Sequence, residues 1–223
     1  MMLTTAVRKK TTRDWQDKLP QLGTVRPMLL GRVVGPFLQG ILLDRRSDGK
    51  TYFPTLFVCS LTSSSTVFSM TVAQKLLTAR THAEDYISVV SHDTRYVDAI
   101  DRLITETLLP LDGNWILRDV IATLLGYRQN DGGLGPNPEL MLELIGACVW
   151  SGAHDAAREI ATGLVNLVRG WPPFVRENHG DEAEWRDKAD KVLGSAGSIH
   201  EYVASQVVAW GLERLPVSRL LTG

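Results

Sequence analysis

Asp48-Gly49 lies between two long apolar runs, Phe37–Asp44 and Thr51–Leu61. An Asp-Gly pair readily adopts the left-handed backbone of a tight turn, so the flanking runs must pair as an antiparallel hairpin. Gly35-Pro36 separates Phe37–Asp44 from an earlier run, Arg26–Val34, in the same manner. Pro54 demotes part of Thr51–Leu61 to an edge or a bulge. Ser63-Ser64-Ser65 reads as a polar loop, and Thr66–Val72 offers a fourth strand. Residues 24–72 therefore read as an antiparallel β-meander of three or four strands. Its runs are too continuously apolar for a sheet with one solvated face, so other elements must cover it.

From residue 73 the apolar period lengthens toward that of a helix. Ala73–Arg80 reads as a short helix. Asp93 or Thr94 can cap a second, which carries Val97, Ile100, Leu103 and Ile104 at helical spacing. Asp112 can cap a third, carrying Trp115, Val120 and Leu124. Residues 131–136 form a Gly-rich loop. Asn137-Pro138 then gives an N-cap followed by proline in the first turn. Glu139–Trp150 and about His154 to Arg169 are separated only by Ser151-Gly152 and its neighbours, a break short enough to demand an αα-hairpin. Glu182–Leu193 and Ser198–Arg214 suggest another. At the other end, Thr12 can cap a short turn over Arg13–Lys18 anchored by Trp15, after a tail expected to be mobile. The reading is α+β: segment 1–23 with a short helix, β-meander 24–72, and helical region 73–223, in one compact unit.

Pro138 to Gly170 is loosely similar to a tetratricopeptide helix pair. Ile145-Gly146 stands where that family places Leu-Gly, and Gly152 and Ala156-Ala157 echo its later small residues. The family's tryptophan, tyrosine and closing proline are missing, and no second copy follows. A solenoid needs several stacked repeats, so the pattern reads as generic close helix packing.

The net charge of −1 excludes a simple polycation, yet it conceals +6 over residues 1–50 and −7 over 51–223. Arg8, Lys9, Lys10 and Arg13 are the basic binding candidates. No aromatic or glycine interleaving accompanies them, which argues against nucleic acid. Cys59 and Cys148, in apolar runs, read as buried thiols in a reducing compartment. Thr51 to Gln74 is uncharged but holds ten Ser or Thr among 24 residues, too many for a membrane helix. The expectation is a cytoplasmic protein without a membrane segment.

No motif for chemistry stands out. Gly-x-Ser-x-Gly is missing, and the histidines never form a His-x₃-His pair. Ser64, with His82, His92 and Asp93 downstream, is the catalytic set that can be assembled on paper. Asp131 in its Gly-rich loop, and Trp185 within an acidic helix face, are candidate contacts for a partner. No metal and no cofactor is expected. Two functions follow. One is a protein-interaction module binding another protein, of the adaptor, inhibitor (immunity-type) or chaperone-like kind, without catalytic activity. The alternative is a small soluble hydrolase with its site between sheet and helices, which requires a deep polar pocket there.

Overall fold

The computed structural model describes residues 2–63, 70–127 and 137–223. Ser64, Asp131 and the loop 131–136 lie outside them, as does most of Thr66–Val72. Helix α1 spans Thr5–Lys18. Strands β1 (Gly23–Arg26), β2 (Leu29–Val34), β3 (Phe37–Arg45), β4 (Thr51–Ser60) and β5 (Val72–Lys75) follow, then β6 (Ile87–Ser88). Helix α2 (His92–Glu106), strand β7 (Trp115–Ile116) and α3 (Leu117–Tyr127) come next. After them lie α4 (Pro138–Trp150), α5 (His154–Arg169), α6 (Pro173–His179), α7 (Glu182–Leu193) and α8 (Ile199–Ala209). The chain closes with β8 (Val217–Ser218) and β9 (Leu220–Leu221). This is the α+β arrangement: an antiparallel sheet β1-β2-β3-β4-β5 and a mostly helical remainder.

Several boundaries differ from those the sequence suggested. The segment before Thr12 is ordered: Thr4 caps α1, Leu3 is buried, and its N–H donates to the Gly49 carbonyl at 2.8 Å. Thr12 is a buried mid-helix residue. Its hydroxyl donates back to Arg8 O at 2.7 Å and accepts from Met28 N at 2.8 Å. That bond holds the turn at Met28 (φ 71) which splits Arg26–Val34 into β1 and β2. Ala73–Arg80 is not helical: β5 runs to Lys75 and pairs with β4 at residues 55–58. Beyond it the chain makes an excursion, bridged at Leu77↔Glu84, and returns to β4 as β6. Pro54, which has no N–H, falls between the stretches of β4 that pair with β5 and with β6. Ser91, not Asp93, is the N-cap residue of α2, and α3 starts at Leu117, well past Asp112.

Both faces of the sheet are covered. Register puts Leu30, Arg32 and Val34 of β2 beside Ile41, Gln39 and Phe37 of β3 on one face. On that face Leu30, Ile41, Leu43, Tyr52 and Leu56 pack against Trp15 of α1 and Ile100 and Leu103 of α2. Val34, Phe37 and Val58 form a separate core with α3, α4, α5 and α7. The opposite face, with Leu38, Phe57 and Leu61, is closed by Val203 of α8 and by Leu212 and Leu215.

Between the two cores of the first face runs a polar seam. Residues 107–114, joining α2 to β7, cross the strands without a ladder of their own. Their backbone polar groups must therefore find other partners. Gln74 of β5 donates to Glu106 O and accepts from Leu108 N. Gln39 of β3 donates to Leu109 O at 2.9 Å. Arg32 of β2, 1% exposed, donates to Pro110 O at 2.7 Å, Gly113 O at 2.8 Å and Asp112 O at 3.3 Å. It also donates to Gln39 Oε1 and to Ser218 Oγ of β8. Burial pulls its guanidinium down to about 10, which leaves it charged at neutral pH.

Arg32→Met should leave several buried carbonyls without donors and cost about 3 kcal/mol or more. Arg32→Lys, lacking the planar fork, should recover little of that. Urea unfolding followed by circular dichroism checks both. Stability within about 1 kcal/mol of wild type for either variant would contradict the role given to the seam.

Candidate functional site

Helix α1 places Lys10 and Asp14 one turn apart on the side facing α2. The first turn of α2 presents His92 and Asp93, and β4 points Tyr52 inward beneath them. The result is a chain of bonds through a buried corner. Trp15 Nε1 donates to the Tyr52 hydroxyl at 3.2 Å. Tyr52 Oη lies 2.7 Å from His92 Nδ1, and His92 Nε2 lies 2.9 Å from Asp14 Oδ2. Lys10 Nζ then bridges Asp14 at 2.7 Å and Asp93 at 2.8 Å. The Tyr96 ring stacks on the imidazole at 4.8 Å.

One tautomer of neutral His92 gives every donor an acceptor. Tyr52 receives the indole N–H, so its own proton goes to Nδ1. Nε2 then carries the imidazole proton and donates it to Asp14. Burial raises the Tyr52 phenol well above its ordinary value, so it remains a donor. Hydrogen bonds donated to Asp14 and Asp93 raise the Lys10 ammonium, and Lys10 in turn lowers Asp93.

Asp14, His92 and Asp93 bring ligand atoms within 4.8 Å of one another, as a metal centre would. The donor set does not fit one. Both imidazole nitrogens are engaged, Nε2 as a donor, and the Lys10 ammonium stands between the carboxylates where a cation would sit.

The structure thus joins His92, Asp93 and Lys10 of the sequence candidates, through Asp14 and Tyr52, which the sequence did not single out. His92 and Asp93, neighbours in sequence, take different partners in space: the imidazole binds Asp14 and Asp93 binds Lys10. Arg8 is half-buried against Thr5, while Lys9 and Arg13 are exposed on α1. His82 lies apart, at φ 52 on the excursion after β5. It lines an open cleft of about 530 Å³ with Lys75, Glu106 and Tyr127. Trp185 offers no exposed ring: it is 4% exposed, donates to His179 O at 2.9 Å and meets Trp171 edge-on.

Glu143 is a further group the sequence missed. Helix α4 presses on the end of β4 at Gly146, where any Cβ would meet the Thr62 hydroxyl. Glu143, one turn earlier, is carried into the same contact, and its Oε2 is buried without a hydrogen-bond partner. Burial raises its carboxyl to about 7, opposed by a hydrogen bond from Thr71 and aided by Glu139. Comparison with protein families, curated proteins and solved structures finds no match for the chain.

Tyr52→Phe strips Trp15 Nε1 of its acceptor and His92 Nδ1 of its donor, and should cost about 1–3 kcal/mol in urea unfolding. Glu143 has a folded value above the unfolded one, so the native state holds its proton more tightly. Its penalty is absent below the ordinary carboxylate range, grows as pH rises toward about 7, and is complete above it. Glu143→Gln should therefore stabilise the fold at pH 8, by up to about 3 kcal/mol, and have little effect at pH 4. Equal effects at both values would contradict this account.

Proposed function

We propose that the protein is an interaction module that binds another protein, of the adaptor, inhibitor or chaperone-like kind. The observation that carries this reading is an apolar groove of about 420 Å³ on the outer side of the helical layer. Ile121 and Leu125 of α3 line one bank, Ala156 and Ile160 of α5 the other. Half-buried apolar side chains lining an open groove are a surface that a partner's apolar residues can cover. Ile116 and Leu221 add exposed apolar side chains where β7 pairs with β9.

The hydrolase alternative requires a substrate-sized space between sheet and helices. Among the described residues, the cavity at that junction, beside Gln39, Gln74 and Leu109, is about 20 Å³. That is room for a single water. The corner at His92 is satisfied by its own bonds, which favours a structural role for the imidazole. No described helix is long and apolar enough to cross a membrane. Cys59 and Cys148 are free and buried, in keeping with a reducing compartment and a cytoplasmic location.

Ala156→Arg, a helix-compatible change, should plug the groove without disturbing the core. Affinity capture from the native lysate should recover a stoichiometric partner with wild type and lose it with Ala156→Arg. Recovery of the bare chain from wild type, or a partner retained by the variant, would count against the reading. Circular dichroism confirms that the variant is folded.

A further inference from the structure

Residues 216–221 lie as an extended strap between two elements that are far apart in sequence. On one side Pro216 O accepts from Val33 N at 2.9 Å and Ser218 O from Gly35 N at 3.2 Å, at the end of β2. On the other side Arg219 O accepts from Trp115 N of β7 at 2.9 Å, and Arg219 N donates to Asn114 Oδ1 at 2.9 Å. These are the parallel pairings of β2 with β8 and of β7 with β9, each two residues long. Side chains alternate as in any strand. Val217, Arg219 and Leu221 are exposed, whereas Ser218 is half-buried and Leu220 is buried. Two glycines make room for the strap. A Cβ on Gly35 would meet the Leu220 side chain at 2.7 Å, and one on Gly23 would meet Leu215 and Pro216 at 3.0 Å.

The strap also reaches the buried guanidinium. Arg32 Nη1 donates to Ser218 Oγ at 3.1 Å. The other acceptors of Arg32 are the Gln39 amide oxygen and the carbonyls of residues 110, 112 and 113. Those oxygens satisfy its donors, but none of them carries the opposite charge. Asp112 acts on the cation only from a distance. Ser218 is thus the position from which an exchangeable segment faces an unneutralised, buried cation. A hydroxyl accepts one hydrogen bond there as a neutral group. A carboxylate in its place would form a charge-assisted bond, which is shorter and stronger.

We propose that the slot between β2 and β7 receives an extended segment of a partner protein, which displaces residues 216–221 and sets a carboxylate where Ser218 lies and a leucine where Leu220 lies. The chain's own strap shows what fits. The N–H groups of Val33, Gly35 and Trp115 call for acceptors at strand spacing from two sides. A helix keeps its carbonyls for its own bonds, whereas an extended backbone offers them to both neighbours. Gly35 admits the leucine, and Arg32 selects the acid. Little is lost in the exchange. The two short ladders are remade by the incoming backbone, and one buried leucine replaces another. The gain is a partner for the charge on Arg32. The slot is not the groove between α3 and α5, and it stands whether or not that groove binds a partner.

Two synthetic peptides, Leu-Pro-Val-Asp-Arg-Leu-Leu and Leu-Pro-Val-Ser-Arg-Leu-Leu, are titrated into the full ¹⁵N-labelled chain. The Asp peptide should bind about tenfold more tightly than the Ser peptide, because a charge-assisted bond outweighs a neutral one. On binding, the Arg219 amide should lose its protection from hydrogen exchange, while those of Val33, Gly35 and Trp115 keep theirs. Ser218→Asp places the carboxylate in the chain's own strap and should weaken the Asp peptide by about the same tenfold. Ala156→Arg should leave both affinities unchanged. No binding, equal affinities, or an Arg219 amide that stays protected in the complex would each overturn the proposal. A chain that is dimeric by sedimentation and exchanges straps with its second copy would do so too. Loss of peptide binding in Ala156→Arg would seat the peptide in the other groove and count against the slot. Circular dichroism checks that Ser218→Asp is folded. Should it not be, the two peptides on the wild-type chain still decide.

Discussion

A guanidinium in the middle of an apolar sheet governs how the rest of this molecule is arranged. Arg32 is surrounded by hydrophobic strands yet touches no carboxylate oxygen; its partners are carbonyl groups, one hydroxyl and one amide oxygen. Burying such a charge is costly unless its donors are used. Here the crossing segment supplies the acceptors, because residues 109–113 have no ladder to satisfy them. Each side solves the other's problem: the cation needs oxygen, and the irregular backbone needs donors. Trp115 reinforces the arrangement, its ring 5.7 Å from the guanidinium carbon and its indole N–H on Pro110 O. The same side chain reaches Ser218, so β8 is fixed by the device that fixes the crossing segment.

The seam also sets how the helices are distributed over the sheet. It divides one face of the sheet into a core under α1 and α2 and a core under α3, α4, α5 and α7. The crossing backbone fills the junction beside Gln39 and Leu109, where a cavity of about 20 Å³ is left. The corner at Tyr52, His92 and Asp14 repeats the logic of the seam on a smaller scale. Each donor has an acceptor, and the chain of bonds ties α1 to α2 across β4.

What the sequence revealed was local. Asp48-Gly49 does lie in the β3–β4 hairpin loop, where Gly49 takes φ 63 and the Asp48 carboxylate accepts from Lys50 N and Thr51 N. Asn137-Pro138 does start α4, with the Asn137 side chain accepting from Glu139 N at 3.0 Å. Ser151-Gly152 does fold α5 back on it, with Gly152 at φ 74. Non-local contacts prevailed wherever the reading differed. Ala73–Arg80 has helical propensity, but Val72 and Gln74 gain the open edge of β4. Thr12 looked like a cap because its hydroxyl does bond backbone, though as a mid-helix residue holding a turn from another element. Of the candidate site, His92, Asp93 and Lys10 were visible, while their true partners lie 78 and 83 residues away in sequence. Arg32 carried its own signal, a lone cation within Leu29–Val34. A charge inside an unbroken apolar strand has to be paid for by partners somewhere in the fold.

The split of +6 and −7 along the chain changes meaning once the side chains are placed. Arg32 is buried, so its charge never reaches the surface. Lys10 is neutralised by two carboxylates, one of them from α2. The Arg46 guanidinium lies over the Tyr86 ring at 4.4 Å. On α1, Lys9 and Arg13 stay exposed without an ion pair among the described residues. Some acidic residues of 51–223 serve structure as well. Asp85, 3% exposed, holds Arg95 and Arg102, and Glu182 holds Arg169 and Arg186. Charge counted along a sequence measures ionisable groups, whereas a partner meets only those that folding leaves unpaired. The split counted along the chain is therefore not the charge distribution of the surface: part of the basic excess of residues 1–50 is buried or paired, while carboxylates such as Glu184 and Asp190 stay exposed on the helices.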